Sequence, residues 1–186
     1  IILVGEIRDK DVADIAIQSA LTGHLVFSTL HTNDAPSAIT RLIDMGVKPF
    51  LVASSIQAIM AQRLVRVICK NCKVVDKNPD SHYLKMLGIT KKDLEKHPVY
   101  KGKGCSKCQG TGYKGRIGIF ELFELNKEIR ELAFSMAPTV ELRKACVANG
   151  MRTLMMDGKR KIFRGMTTPE EVARIAKTEG VVDDDE

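Results

Sequence analysis

The chain has 186 residues, 44% of them hydrophobic, and a formal net charge of +6. That length suits one or two domains with a sizeable core, and no apolar stretch is long enough to cross a bilayer. Asp183, Asp184, Asp185 and Glu186 form an acidic tail, so the rest carries +10 and favours polyphosphate or other anions; with no Trp and three Tyr, few side chains can stack on bases, against a specific nucleic-acid binder.

In chain order, Ile1–Val4 reads as an apolar strand that stops at Gly5 and Glu6. Asp9 or Asp11 caps a helix carrying Val12, Ile15, Ala16 and Ser19 at helical spacing, with Gly23 as its C′ residue. A strand over 25–29 follows and stops at Leu30-His31. Strand, helix, strand predicts an α/β sheet whose ligand crevice lies at the carboxyl ends of the strands, where Glu6, Arg8, His24, Thr29 and His31 are expected to converge. Asp34 and Pro36 open a second helix that Gly46 ends; a third runs from about Pro49 to Gln62, and Arg63–Ile68 alternates like a strand.

At Cys69 the texture changes to a loop-rich module extending to residue 116, followed by a strand over 117–125. Helices are predicted over 126–136, over 139–149 and up to about Arg164, with a fourth opening at Thr168-Pro169-Glu170-Glu171 as a capping box. The tail after Gly180 is expected to be disordered.

Cys69-Lys-Asn-Cys72 and Cys105-Ser-Lys-Cys108 are two C-x-x-C pairs. Two such pairs complete a closed tetrahedral Zn²⁺ site, structural and not catalytic. Lys70, Lys73 and Lys107 are expected to lower the thiol pKa values; the alternatives are four reduced thiols or two strained local disulfides. Cys146 reads as a small buried hydrophobe. The segment from Cys105 to Gly115 also resembles one zinc repeat of the DnaJ chaperone family, a shared way of turning a chain round a metal.

LVGEIRD with Glu6, TGHLVFSTLHTNDA, MGVKPFLVASSIQAIMAQRLVR and the two cysteine pairs together resemble the carboxyl-terminal part of a secretion-superfamily ATPase, in the branch of type II secretion and type IV pilus extension ATPases. The resemblance implies a partial RecA-like P-loop core over 1–68, a zinc-binding insert over 69–116, a strand plus helical subdomain over 117–180 and the acidic tail at 181–186. It also implies ATP and Mg²⁺ as cofactors, with Glu6 as the Walker B acid holding the Mg²⁺ shell through water. His24 and His31 match a histidine box that senses the γ-phosphate. Arg116 matches an arginine near the nucleotide or a neighbouring subunit, and Arg8 and Arg63 are weaker candidates. The implied assembly is a homo-hexamer at the cytoplasmic face of the inner membrane, attached through a membrane platform protein and other secretion or pilus components.

One departure from the pattern is an omission: the 186 residues contain no G-x-x-x-x-G-K-[ST]. The expectation is therefore a stretch of a longer motor, inactive by itself. A rival reading is an interaction module whose zinc insert and helical tail dock the platform protein; separately, basic Lys159, Arg160, Lys161 and Arg164 read as a solvated helix face or as a contact for an acidic partner or an anionic membrane surface.

Overall fold

A computed structural model describes residues 1–178, so the tail expected to be disordered lies outside the described residues. Its elements in order are β1 (Ile2–Leu3), α1 (Lys10–Leu21), β2 (Val26–Phe27), α2 (Ser37–Asp44), α3 (Pro49–Ser55), β3 (Ala58–Ile68), β4 (Lys73–Val75), α4 (Ser81–Met86), α5 (Lys91–Lys96), β5 (Tyr100–Gly102), a 3-10 turn (Ser106–Cys108), β6 (Tyr113–Glu124), α6 (Lys127–Phe134), α7 (Thr139–Ala148), α8 (Leu154–Phe163) and α9 (Pro169–Thr178). The described residues form three two-stranded sheets, β1 with β2, β3 with β6, and β4 with β5. The chain is mixed α/β.

Two compact units result, and each is assembled from two separated stretches: Ile1–Ala61 with Glu121–Met151, and Gln62–Phe120 with the stretch from Arg152 onward. The linear division expected at residues 68 and 116 differs from this because both β3 and β6 carry residues of both units.

In the first unit β1 and β2 run parallel, Ile2 opposite Val26 and Leu3 opposite Phe27, joined by α1 as a crossover. Asp9 caps α1 by accepting from the Val12 amide. At the other end Gly23 adopts φ +96°, its amide bonding Ala20 O and that of His24 bonding Ser19 O, a Schellman closure that β-carbon crowding disfavours for other residues. The core gathers Ile17, Ile39, Val52, Ile129, Leu142 and Cys146, all nearly fully buried; each large aliphatic side chain contributes about 1.5–3 kcal/mol by leaving water. Helix α3 stops at Ser55, well short of Gln62. Ile56 turns extended at its end, and by Gln57 the carbonyl is bonded to the Leu125 amide, so pairing with the β6 segment takes the backbone that helical spacing had suggested for α3.

In the second unit β4 and β5 pair antiparallel, Lys73 opposite Gly102 and Val75 opposite Tyr100. Two short helices, α4 and α5, fill what the sequence suggested was loop; Thr90 and Asp93 form a reciprocal capping box on α5. Helices α8 and α9 pack closely at Gly158, where a β-carbon would lie 2.5 Å from a Val172 methyl. The capping box expected at Thr168 is half formed. The Thr168 hydroxyl accepts from the Glu171 amide at 3.3 Å, but the Glu171 carboxylate turns to Arg66, taking its backbone amide at 2.9 Å and its guanidinium at 2.6 Å.

Candidate functional site

Parallel pairing brings the exits of β1 and β2 side by side. The Ile7 amide donates to Thr29 O at 2.9 Å and the Thr29 hydroxyl donates to Gly5 O at 2.8 Å, so the turn bearing Glu6 is bracketed by one residue of the neighbouring strand exit. Arg8 Nε donates to Glu6 Oε2 at 2.6 Å. On the other oxygen, Glu6 Oε1, His31 Nε2 stands in close contact without completing a hydrogen bond, although that oxygen is covered from solvent. A covered carboxylate oxygen lacking a completed hydrogen bond is costly, and a cation or a water of its shell would recover that cost. The donor set therefore fits a hydrated Mg²⁺.

Glu6, Ile7, Arg8, His31, Arg41 and Met45 line a pocket of about 170 Å³. One carboxylate faced by two guanidinium groups and an imidazole suits a divalent cation bound together with an anion such as a phosphate. Arg41, exposed on α2, escaped the sequence reading because one arginine on a polar helix face carries no local signal.

The structure does not bring His24 to Glu6. His24 precedes β2, so it lies at the amino end of the strand and not with Glu6 at the carboxyl end. Its Nδ1 lies 3.2 Å from both Ser19 O and the Thr22 hydroxyl, engaged at the end of α1. Arg116 is exposed on β6, in the second unit.

The four cysteines of the second unit converge. Their sulfurs all lie within 4.8 Å of one another, with Cys69–Cys105 and Cys72–Cys108 at 3.9 Å and Cys105–Cys108 at 3.7 Å. A tetrahedral zinc with Zn–S bonds of about 2.3 Å requires sulfurs about 3.8 Å apart, so the cluster, with all four cysteines as free thiols, fits the ion. Backbone amides of Cys105 and Gly112 donate to Cys108 Sγ at 3.2 and 3.3 Å, which favours thiolate. Gly112 has φ +77°, and a β-carbon there would meet Gly102 O at 2.6 Å, so only glycine lets these two backbones pass.

The thiols are not tuned as the lysines suggested. The Asn71 side chain, followed by backbone amides, draws Cys105 down to about 6, while burial among the other sulfurs pushes Cys72 up to about 11. Lys73 instead sits over the Tyr100 ring, 4.2 Å from its centroid. Burial likewise pushes Cys146 up to about 11, in keeping with an inert core thiol. In the basic stretch of α8, Lys159 donates to Gly88 O at 2.6 Å and Lys161 pairs with Asp157, so two of its four charges are committed within the unit.

The family described as "Type II/IV secretion system protein" matches residues 1–174. The chain belongs to the type II/IV secretion system protein family. Among curated members of that family, the type IV pilus assembly ATPase PilB of Thermus thermophilus is 48% identical over 172 residues, covering 92% of this chain and 19% of PilB. The type II secretion system protein E of Pseudomonas aeruginosa is 43% identical over 180 residues, covering 96% of this chain and 35% of that protein. The chain thus spans about a fifth to a third of the relatives it matches. In fold it resembles the ATPase DotB of Yersinia pseudotuberculosis, with a TM-score of 0.61 at 21% identity over 94% of this chain and 37% of DotB. DotB of Legionella pneumophila gives 0.59 at 18% identity. Among the described residues of this family member, no helix is long and apolar enough to cross a membrane.

Proposed function

We propose that this chain is the carboxyl-terminal part of an ATP-hydrolysing motor that powers type II protein secretion or type IV pilus assembly. The observation that carries this reading is the convergence of Glu6 and His31 at adjacent strand exits, in a family whose curated members are named as such machines. When bound, Mg²⁺ would neutralise phosphate charge and screen the departing group. Glu6 would hold a water of the ion's shell through Oε1. His31 would leave that oxygen and donate Nε2–H to the γ-phosphate, while Arg8 and Arg41 offer guanidinium donors to the same anion. Cys69, Cys72, Cys105 and Cys108 would hold one structural Zn²⁺.

The phosphate-binding loop of the site would come from a part of the motor other than these 186 residues, so the chain alone is expected to hydrolyse ATP poorly. Leu3 and Phe27 are 79% and 54% exposed on paired strands, which supports a sheet that continues in a larger core. A homo-hexameric ring, with Arg116 reaching a neighbouring subunit's nucleotide, a platform protein as partner and a cytoplasmic position peripheral to the inner membrane complete the reading.

Joined behind the amino-terminal part of a pilus ATPase that it matches, the chain is expected to support Mg²⁺-dependent phosphate release. Glu6→Gln should lower that release at least tenfold; unchanged turnover removes Glu6 from the mechanism.

A further inference from the structure

His31 is 88% exposed at its side chain and stands on a segment with no regular secondary structure, between β2 and α2. Its own packing therefore does not place it; the backbone on either side must. On the near side, Thr29 is tied to Gly5 and Ile7. On the far side, the tie comes from residues distant in sequence. The Ala35 amide donates to Glu121 Oε1 at 2.9 Å, and Glu121, on β6, is only 1% exposed. Next to it, Asp34 is 8% exposed, accepts from the Ser37 amide at 2.8 Å through Oδ1 and pairs with Arg143 of α7 through Oδ2. Between the two ties the Thr32 hydroxyl donates to Asp34 O at 3.0 Å.

We infer that Glu121 and Arg143 are positioning residues for His31: they fix the far end of its loop, so that the imidazole stays at the Glu6 pocket, within a side-chain rotation of both Glu6 and the pocket's ligand. This rests on the proposed reading of the Glu6 and His31 site. A carboxylate withdrawn from water is costly unless its hydrogen bonds are well made, and a charged acceptor holds a backbone amide more firmly than a neutral one. Here that strength is applied to the loop carrying the exposed histidine. A short helix entrance needs no such anchor, since Asp34 already bonds the Ser37 amide of α2.

Nuclear magnetic resonance of the uniformly isotope-labelled chain tests this with two readouts. Relaxation of the Leu30–Asn33 amides reports loop order, and broadening by Mn²⁺, used alone as a probe for Mg²⁺, reports how His31 faces the cation. Glu121→Met should loosen Leu30–Asn33 and weaken the broadening of His31 at least threefold, while Glu121→Gln, which keeps an acceptor, restores both. Glu121→Met folding with the loop order unchanged overturns the inference. Should Glu121→Met not fold, Arg143→Met decides in the same way, since it releases Asp34 from a partly exposed position. If wild-type His31 is not broadened, or Glu6→Gln leaves the broadening intact, the cation reading fails, and the loop relaxation still decides the role of Glu121.

Discussion

The Arg8 guanidinium reaches back to Glu6 Oε2 over 2.6 Å, so the acid at the end of β1 already holds a counter-cation. An incoming Mg²⁺ has to compete with it. Arg8 is 76% exposed, and a unit charge about 4 Å away in water is worth about 1 kcal/mol. Arg8→Ala is therefore expected to raise Mn²⁺ affinity about two- to fivefold at low salt, with the gain shrinking at high salt. Titration of Mn²⁺ without nucleotide, followed by electron paramagnetic resonance, checks it; unchanged or lower affinity in Arg8→Ala contradicts the competition.

The two histidines should behave differently. His31→Gln alters Mn²⁺ binding or its effect on neighbouring signals, whereas His24→Gln leaves both within about twofold, a difference of less than about 0.5 kcal/mol. Equal effects would place His24 in the site despite its position at the far end of β2.

One zinc per chain is expected by elemental analysis of protein purified under reducing conditions. Cys108→Ser should lose it and raise amide exchange selectively in β4, β5 and the turn at Ser106–Cys108. Metal-free protein with unchanged exchange there would show that the thiol cluster holds its shape without an ion.

Glu171 carries a pH dependence. Burial opposes its ionisation, but hydrogen bonds from Arg66 and the charges of Arg66 and Arg174 outweigh that and hold its carboxyl below the ordinary value. A carboxyl lowered on folding contributes stability that is complete above its unfolded value of about 4.3 and is lost as the pH falls through the folded value. Glu171→Gln should cost about 1–3 kcal/mol at neutral pH, and the cost should shrink progressively as the pH falls from the unfolded value through the lower folded one. Urea unfolding at several pH values measures it; a constant difference across the range contradicts the assignment.

Met136 follows the end of α6 with φ +56° and is 63% exposed. A side chain in that left-handed conformation costs about 1–2 kcal/mol, part of which glycine returns as unfolded-chain entropy. Met136→Gly should stabilise the chain by about 0.5–1 kcal/mol in urea unfolding.

Local chemistry made much of this legible. Asp9 and Gly23 mark the ends of α1 because capping and left-handed closure need only neighbours in the chain, and the two C-x-x-C pairs carry their own geometry. The rest depended on distant partners. Nothing near Glu121 announces that it will bond the Ala35 amide, and Glu171 reads as half of a capping box until Arg66 claims its carboxylate. His24 shares a short motif with His31, yet β2 runs between them, so closeness in sequence does not become closeness at one strand end.

The chain enters the second unit at Gln62, returns to the first at Glu121 and leaves it again after Met151. During synthesis, residues 1–61 must therefore wait for α6 and α7 before the core they share can close. Long-separation contacts of this kind slow folding and leave apolar surface open meanwhile. By the same geometry neither unit is a contiguous peptide, and a cut between residues 62 and 151 leaves both cores unfinished.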